Sequence, residues 1–262
     1  MGQQGSSLAL RVFEGDPDRP AIALHCLMGS ASTWGLVARH LDGRVSLTAP
    51  DLPGHGRSAP WDEASGFDYH SHATRLVAPL ITRPVDLIGH SLGATIALRI
   101  AVGAPHAIRS LTLIEPVLFA AAGGESADPA FAQTAPLLEA GDWPAAAEAF
   151  RKVWSPDLPQ SRASGLGAER LAAQAQLLPA TKAALYDDSA RILRAGGLEG
   201  IDAPVMLIAG ADTAAPIHDI HAALASRLMD VARATIPGAG HMAPITHPAE
   251  VAGLIAVNLD RA

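Results

Sequence analysis

Val85-Asp86-Leu87-Ile88-Gly89-His90-Ser91-Leu92-Gly93-Ala94-Thr95-Ile96-Ala97-Leu98 is the stretch on which the fold turns. A run of strand character, Val85 to Ile88, gives way within a few residues to a run that reads as helix from Ser91 to Val102, with Gly103 as its stop. A G-x-S-x-G pattern, residues 89–93, fills the junction. A strand that turns this sharply into a helix forces strained torsions on Ser91 and lifts its Oγ clear of the sheet. Flanking side chains would collide unless they were as small as Gly89 and Gly93. The helix beginning at Ser91 also aims N–H groups and a partial positive charge at whatever the hydroxyl attacks. A bare G-x-S-x-G is a weak signal, but its place between strand and helix marks Ser91 as a candidate nucleophile rather than a chance Gly-Ser turn.

The same alternation extends on both sides. Leu8–Phe13, Ala21–His25, Val45–Ala49 and Leu111–Ile114 read as further strands, with helices from Ser32, as a cap, to Leu41 and from Tyr69 to Ile81. Ala21–His25 is continuously apolar, as a strand buried on both faces of a parallel sheet must be. From Phe119 to Gly200 the pattern changes to four Ala/Leu-rich helical segments without a strand: Pro129–Ala140, Trp143–Trp154, Ala168–Leu178 and Thr181–Arg194. Asp142 caps the second of these, with Pro144 in its first turn. Strand character returns at Val205–Ala209 and Ala232–Ile236, and a last helix covers Ala249–Leu259. The expectation is an α/β fold: a mostly parallel twisted sheet with helices on both faces, built from residues 1–118 and 201–262, and a helical lid, residues 119–200, inserted over its carboxyl edge. Ligands bind beyond the carboxyl ends of such strands, so chemistry is expected just after each one.

Bulk properties narrow the classes. The chain has 262 residues, 49% hydrophobic and 17% charged, which suits one large domain and excludes disorder. A net charge of -7 with no Lys/Arg-rich run argues against a nucleic-acid partner. Cys26 is the one cysteine, so neither an intramolecular disulfide nor a CxxC metal site can form. There is no G-x-G-x-x-G after a strand, no P-loop and no H-E-x-x-H, and neither cofactor nor metal is expected. Met1–Phe13 lacks a basic-then-apolar leader, no apolar run reaches membrane-spanning length, and Met1-Gly2 with Ser6 matches a myristoylation pattern short enough to arise by chance. A cytoplasmic protein with a small-molecule substrate, and no membrane partner, is the expectation.

A serine hydroxyl needs a base to take its proton. Of eleven histidines, His90 adjoins Ser91 but leaves the turn in another direction, and His25, His55 and His247 occupy a strand end, a turn and a helix start. His241 follows the last strand in the Gly-rich loop Pro237-Gly238-Ala239-Gly240-His241, where glycines let the chain fold over the sheet edge, and it is the candidate base. The base needs a carboxylate to hold its tautomer. Asp212 follows the strand Val205–Ala209, and Glu115 ends the strand Leu111–Ile114. Either preserves the chain order serine, acid, histidine. Asp212 is favoured because its turn, directly after the penultimate strand, lies beside the loop of His241.

These features carry a resemblance to the α/β-hydrolase fold family. It rests on His25-Cys26-Leu27-Met28-Gly29-Ser30, on Asp51-Leu52-Pro53-Gly54-His55-Gly56-Arg57-Ser58, on the elbow at Ser91, on Gly210-Ala211-Asp212 and on Gly240-His241. The resemblance implies an oxyanion hole from the backbone N–H groups of Leu27 and Leu92. It also implies a structural role for the 51–58 turn, braced by Asp51 and Arg57. Many relatives have His-Gly where this chain has His25-Cys26. A positive φ there would strain the cysteine, and the alternative is a small buried filler. The implied activity is hydrolysis of a carboxylic ester, thioester or lactone through an acyl-enzyme on Ser91. Carbon–carbon bond hydrolysis of a diketone, or ligand binding with little turnover, remains as the alternative reading on the same scaffold. Met28, Trp34 and Phe119 are the expected substrate contacts, with Leu138, Trp143 and Trp154 as further apolar residues of the lid.

Overall fold

The computed structural model describes residues 8–158 and 167–262. Seven strands form one sheet in the order β1-β3-β2-β4-β5-β6-β7. The strands are β1 (Leu10–Phe13), β2 (Pro20–Leu24), β3 (Ser46–Pro50), β4 (Val85–His90), β5 (Ile108–Ile114), β6 (Val205–Gly210) and β7 (Val231–Ile236). Among the described residues only β1 runs antiparallel, on the edge beside β3. Every residue of β4 and β6 is buried, as strands covered on both faces must be; β6 is apolar throughout, and in β4 the buried Asp86 is paired with Arg19 and Arg109.

Side chains alternate between two apolar clusters. Leu87, Leu111, Leu113 and Leu207 point to one face, against α2 (Tyr69–Val77), α3 (Leu92–Gly103) and α8 (Ala215–Ala225). Ile88, Ile114, Met206 and Ile208 point to the other, against α1 (Gly35–His40) and α10 (Pro248–Leu259). Between α1 and the strand before it, Ala31–Trp34 forms one 3₁₀ turn with no side-chain cap, so Ser32 does not cap the helix.

Among the described residues four α-helices lie between β5 and β6: α4 (Phe131–Glu139), α5 (Trp143–Trp154), α6 (Gly167–Ala175) and α7 (Leu177–Tyr186). The Asp142 carboxylate accepts from the Ala145 N–H at 3.1 Å, capping α5. The segment expected to stay helical to Arg194 stops at Tyr186. Asp188 and Arg191 adopt left-handed φ of 48° and 53°, and the Asp188 carboxylate takes the N–H groups of Ile192 and Leu193 in place of helical acceptors. Beyond this turn Ile192, Leu198 and Ile201 are buried in the same cluster as the sheet. A short helix, α9 (Ala243–Thr246), follows the loop after β7. Among the described residues no helix is long and apolar enough to cross a membrane, and the Gly2/Ser6 pattern lies outside them.

Candidate active site

Register along the sheet brings two of the key residues side by side. His90 of β4 pairs with Ile114 of β5, and the Ser91 N–H donates to the Ile114 carbonyl at 2.9 Å. Ser91 and Glu115 are therefore the first residues beyond two neighbouring strands. Both are held in unusual backbone states, Ser91 at φ 55°, ψ -118° and Glu115 at φ 52°. Tightness explains the flanking glycines: a Cβ on Gly89 would sit 2.4 Å from the Gly93 carbonyl oxygen, and one on Gly93 would sit 2.3 Å from that of Leu24.

The loop after β7 brings His241 over this edge. Its Nε2 lies 3.0 Å from Ser91 Oγ and its Nδ1 lies 2.9 Å from Glu115 Oε2. With the Nδ1 proton directed at the carboxylate, Nε2 is left as the acceptor for the serine hydroxyl. Glu115 is fully buried, and its oxygens accept two further bonds, from the Gly210 N–H at 2.6 Å and the Thr213 hydroxyl at 2.5 Å. Three donors thus satisfy a carboxylate that water cannot reach, and fix its aim at the imidazole.

Asp212 does not occupy that position, which corrects the sequence-based choice between the two carboxylates. It is exposed, while its N–H extends the sheet edge by donating to the Ala239 carbonyl at 2.9 Å. The neighbouring Thr213 is the residue that reaches inward, and it serves Glu115.

His90 holds the backbone of His241 from behind. Its Nε2–H donates to the His241 carbonyl at 2.8 Å. Burial, and next the neighbouring His241, push its pKa down to about 3, so His90 keeps its neutral form and this bond over a wide pH range. From the lid, Trp154 packs on His241 with ring centroids 4.5 Å apart.

Beneath Ser91 the loop after β2 is fixed by two histidines. The Met28 N–H donates to His55 Nε2 at 3.1 Å, His55 Nδ1–H donates to the Pro53 carbonyl at 2.9 Å, and the Leu52 N–H donates to His25 Nε2 at 2.9 Å. Burial lowers the His55 pKa to about 4, which preserves the acceptor that Met28 needs. Asp51 accepts from the N–H groups of Ala31 and Arg57, so the 51–58 turn is braced through the Arg57 backbone. Gly29 N–H is used by the Cys26 carbonyl, and no hydrogen bond among the described residues takes the Leu27 N–H. The Leu92 N–H opens α3, where first-turn amides have no acceptor within the helix. Met28, not Cys26, carries the positive φ, at 60°. Cys26 is 4% exposed, with its thiol pushed up to about 12 by burial, and fills space.

Two cavities meet at Ser91. The lid-side one, about 270 Å³, is bounded by Leu27, Leu92, Phe119, Leu138, Trp154 and Tyr186 among others. The second, about 380 Å³, is bounded by Met28, Ser30, Trp154, His241 and Met242 among others. Trp34 lines neither: it is fully buried in the cluster beneath the sheet, where its 3₁₀ turn packs on α1 and α9, and the expectation of a substrate contact there is corrected. Trp143 also lies outside both cavities. The sequence offered no signal for Thr213, whose inward aim depends on pairing between the β6 and β7 loops. His55 had been visible only as a turn residue.

A profile of the alpha/beta hydrolase family matches residues 21–254. The chain is 32% identical over 114 residues to Lipase LipV of Mycobacterium tuberculosis, covering 42% of each. It is 33% identical over 114 residues to the sn-1-specific diacylglycerol lipase ABHD11 of Danio rerio, covering 42% of this chain and 35% of that one. The match thus spans less than half the length of these curated relatives. In fold it is similar to the 2-hydroxy-6-oxo-6-phenylhexa-2,4-dienoate hydrolase of Rhodococcus sp. strain RHA1, with a TM-score of 0.76 and 18% identity over 97% of this chain and 94% of that one. The parallel sheet, the strained elbow after β4 and a family profile that runs through nearly the whole chain lead to one assignment: this protein belongs to the alpha/beta hydrolase family.

Proposed function

We propose that the chain is a serine hydrolase that cleaves a carboxylic ester, thioester or lactone of small to medium size through an acyl-enzyme on Ser91. The observation that carries this reading is the hydrogen-bonded line Ser91–His241–Glu115, with steps of 3.0 and 2.9 Å, opening onto two cavities. Ser91 Oγ attacks the acyl carbon as His241 Nε2 takes its proton, and Glu115 stabilises the imidazolium so formed. The N–H groups of Leu27 and Leu92 receive the developing oxyanion, where loss of one donor costs on the order of 3 kcal/mol of barrier. His241 then gives the proton to the leaving group, and water, activated by the same imidazole, releases the acid and restores the hydroxyl.

The two cavities divide the substrate. His241 borders the second cavity and not the lid-side one, so the group that receives its proton departs into the second. The acyl chain then lies in the lid-side cavity, among Phe119, Leu138 and Trp154. The partial relatives named as lipases support an acyl ester as the bond class.

Labelling with a fluorophosphonate and turnover of p-nitrophenyl butyrate test the reading. The wild type is expected to label at Ser91 and to hydrolyse the ester, while Ser91→Ala does neither and keeps its melting temperature. Wild-type turnover by Ser91→Ala would end the proposal, and labelling without turnover of any ester or thioester would favour the ligand-binding alternative.

A further inference from the structure

The chain has four Trp, two Tyr and five Phe, and five of these rings border the two cavities at Ser91. Four of them form a continuous path from His241. Trp154 packs on His241, Phe119 follows at 6.0 Å from Trp154, Tyr186 at 5.5 Å from Phe119, and Phe131 stands edge-on to Tyr186 at 5.8 Å. Asp128 meets that path at Tyr186. Its Oδ1 accepts from the Ala130 N–H at 2.9 Å and its Oδ2 from the Tyr186 hydroxyl at 2.5 Å, and the carboxylate borders the same cavity as Ser91.

A carboxylate in an aromatic-walled cavity calls for a counter-charge, and among the described residues no Lys, Arg or His makes an ion pair with Asp128. The other charged residues at the cavity wall are Glu139 and Lys182, and Lys182 is already paired with Glu125. The cavity therefore carries a net negative charge. Burial, the largest influence, raises the Asp128 carboxyl above its ordinary range, against the opposing pull of the Tyr186 and Ala130 donors and of His241. Phe131 already draws a cation to its face, with Lys182 Nζ 5.2 Å from the ring centroid. Ring faces set beside an anionic oxygen are the chemistry that recognises an alkylammonium group.

We infer that the lid-side cavity is a cation subsite, in which Asp128 and the rings of Phe119, Phe131 and Tyr186 receive a positively charged end of the acyl group. This rests on the hydrolase reading for the direction of the acyl chain, and it names the substrate class: acyl esters bearing a distal ammonium. Asp128 and Tyr186 also tie α7 to the chain before α4, so a purely structural latch is the competing role, and the test must separate the two.

Paired nitrophenyl esters of graded chain length do so, one member ending in trimethylammonium and the other in its uncharged tert-butyl isostere. For the wild type, kcat/KM is expected to favour the cationic ester by about tenfold at the matching length. Asp128→Asn should bring that ratio to within about twofold of unity, and Phe131→Leu should lower it partway. Tyr186→Phe, which removes the latch bond but keeps ring and carboxylate, should retain the preference. No preference in the wild type, an unchanged ratio in Asp128→Asn, or loss of the ratio in Tyr186→Phe overturns the inference. Should Asp128→Asn fail to fold, Phe131→Leu carries the same ratio. If neither ester turns over, the hydrolase reading fails separately. Calorimetric binding of butyltrimethylammonium to wild type and Phe131→Leu then decides the subsite, weaker binding by the variant supporting it and equal or absent binding overturning it.

Discussion

The ends of β5 and β6 are neighbours in one sheet, each followed by a carboxylate, yet they have opposite fates. Glu115 turns into the sheet edge with left-handed φ, is fully buried, and collects donors from Gly210, Thr213 and His241. Asp212, two residues past β6, points to water while its backbone continues the pairing with the loop after β7. Proximity to the histidine loop is common to both. What differs is burial, and with it the strength of any bond to the imidazole, since a carboxylate shielded from water interacts far more strongly than one solvated by it. A strand end thus becomes a site when its polar group is both enclosed and fully bonded.

Exchanging the buried acid is the strongest way to break this comparison. Glu115→Gln keeps the shape but presents the imidazole with a competing donor, and kcat/KM on an activated ester should fall by about 10³- to 10⁴-fold with little change in KM. A loss below tenfold would mean that another carboxylate serves His241. A smaller effect is expected from the floor of the site. His55→Phe frees the Met28 N–H and loosens the loop carrying the Leu27 amide, so kcat should fall about tenfold while fluorophosphonate labelling slows in proportion. A KM effect alone would assign His55 to substrate binding instead.

The histidines buried around this edge sharpen the comparison through pH. Burial holds His55 and His221 near pKa 4 and His70 and His90 near 3, and depresses His25 as well. Above about pH 6.5 these groups are neutral in both folded and unfolded chains. Below it the unfolded chain binds protons that the folded one refuses, so stability is full at neutral pH, declines as pH falls, and levels off only once the folded forms protonate near pH 3 to 4. Each such group steepens the decline by up to ~1.4 kcal/mol per pH unit. Urea unfolding at pH 7 and pH 5 should show a lower midpoint at pH 5, and equal midpoints would contradict the neutral, buried state of these rings. The smallest effect belongs to the exposed acid: Asp212→Asn should keep kcat/KM within about threefold, the range of a solvent-screened charge.

Much of the architecture was legible because it follows from local rules. Val205–Gly210 is apolar throughout and Val85–His90 is so apart from Asp86 and His90, the mark of strands covered on both faces, and the small residues around Ser91 betray a turn that admits nothing larger. The position of His241, after the last strand and among glycines, was legible for the same reason. The helix beyond Tyr186 was misread because Asp188 competes for backbone N–H groups, a contest that Ala- and Leu-rich composition conceals. Trp34 was assigned to the substrate for its size, whereas the face on which its turn is packed depends on helices at the far end of the chain.

The order of strands and helices along the chain, the tight turn at Ser91 and the place of His241 were determined by the sequence, since each is encoded by periodicity or by residue size within a short window. Which acid completes the line, which amide of the loop after β2 stays free, and which rings face Ser91 were decided only in the tertiary structure. Those outcomes depend on strand register and enclosure among segments up to 150 residues apart, and no local pattern records where a side chain escapes from water.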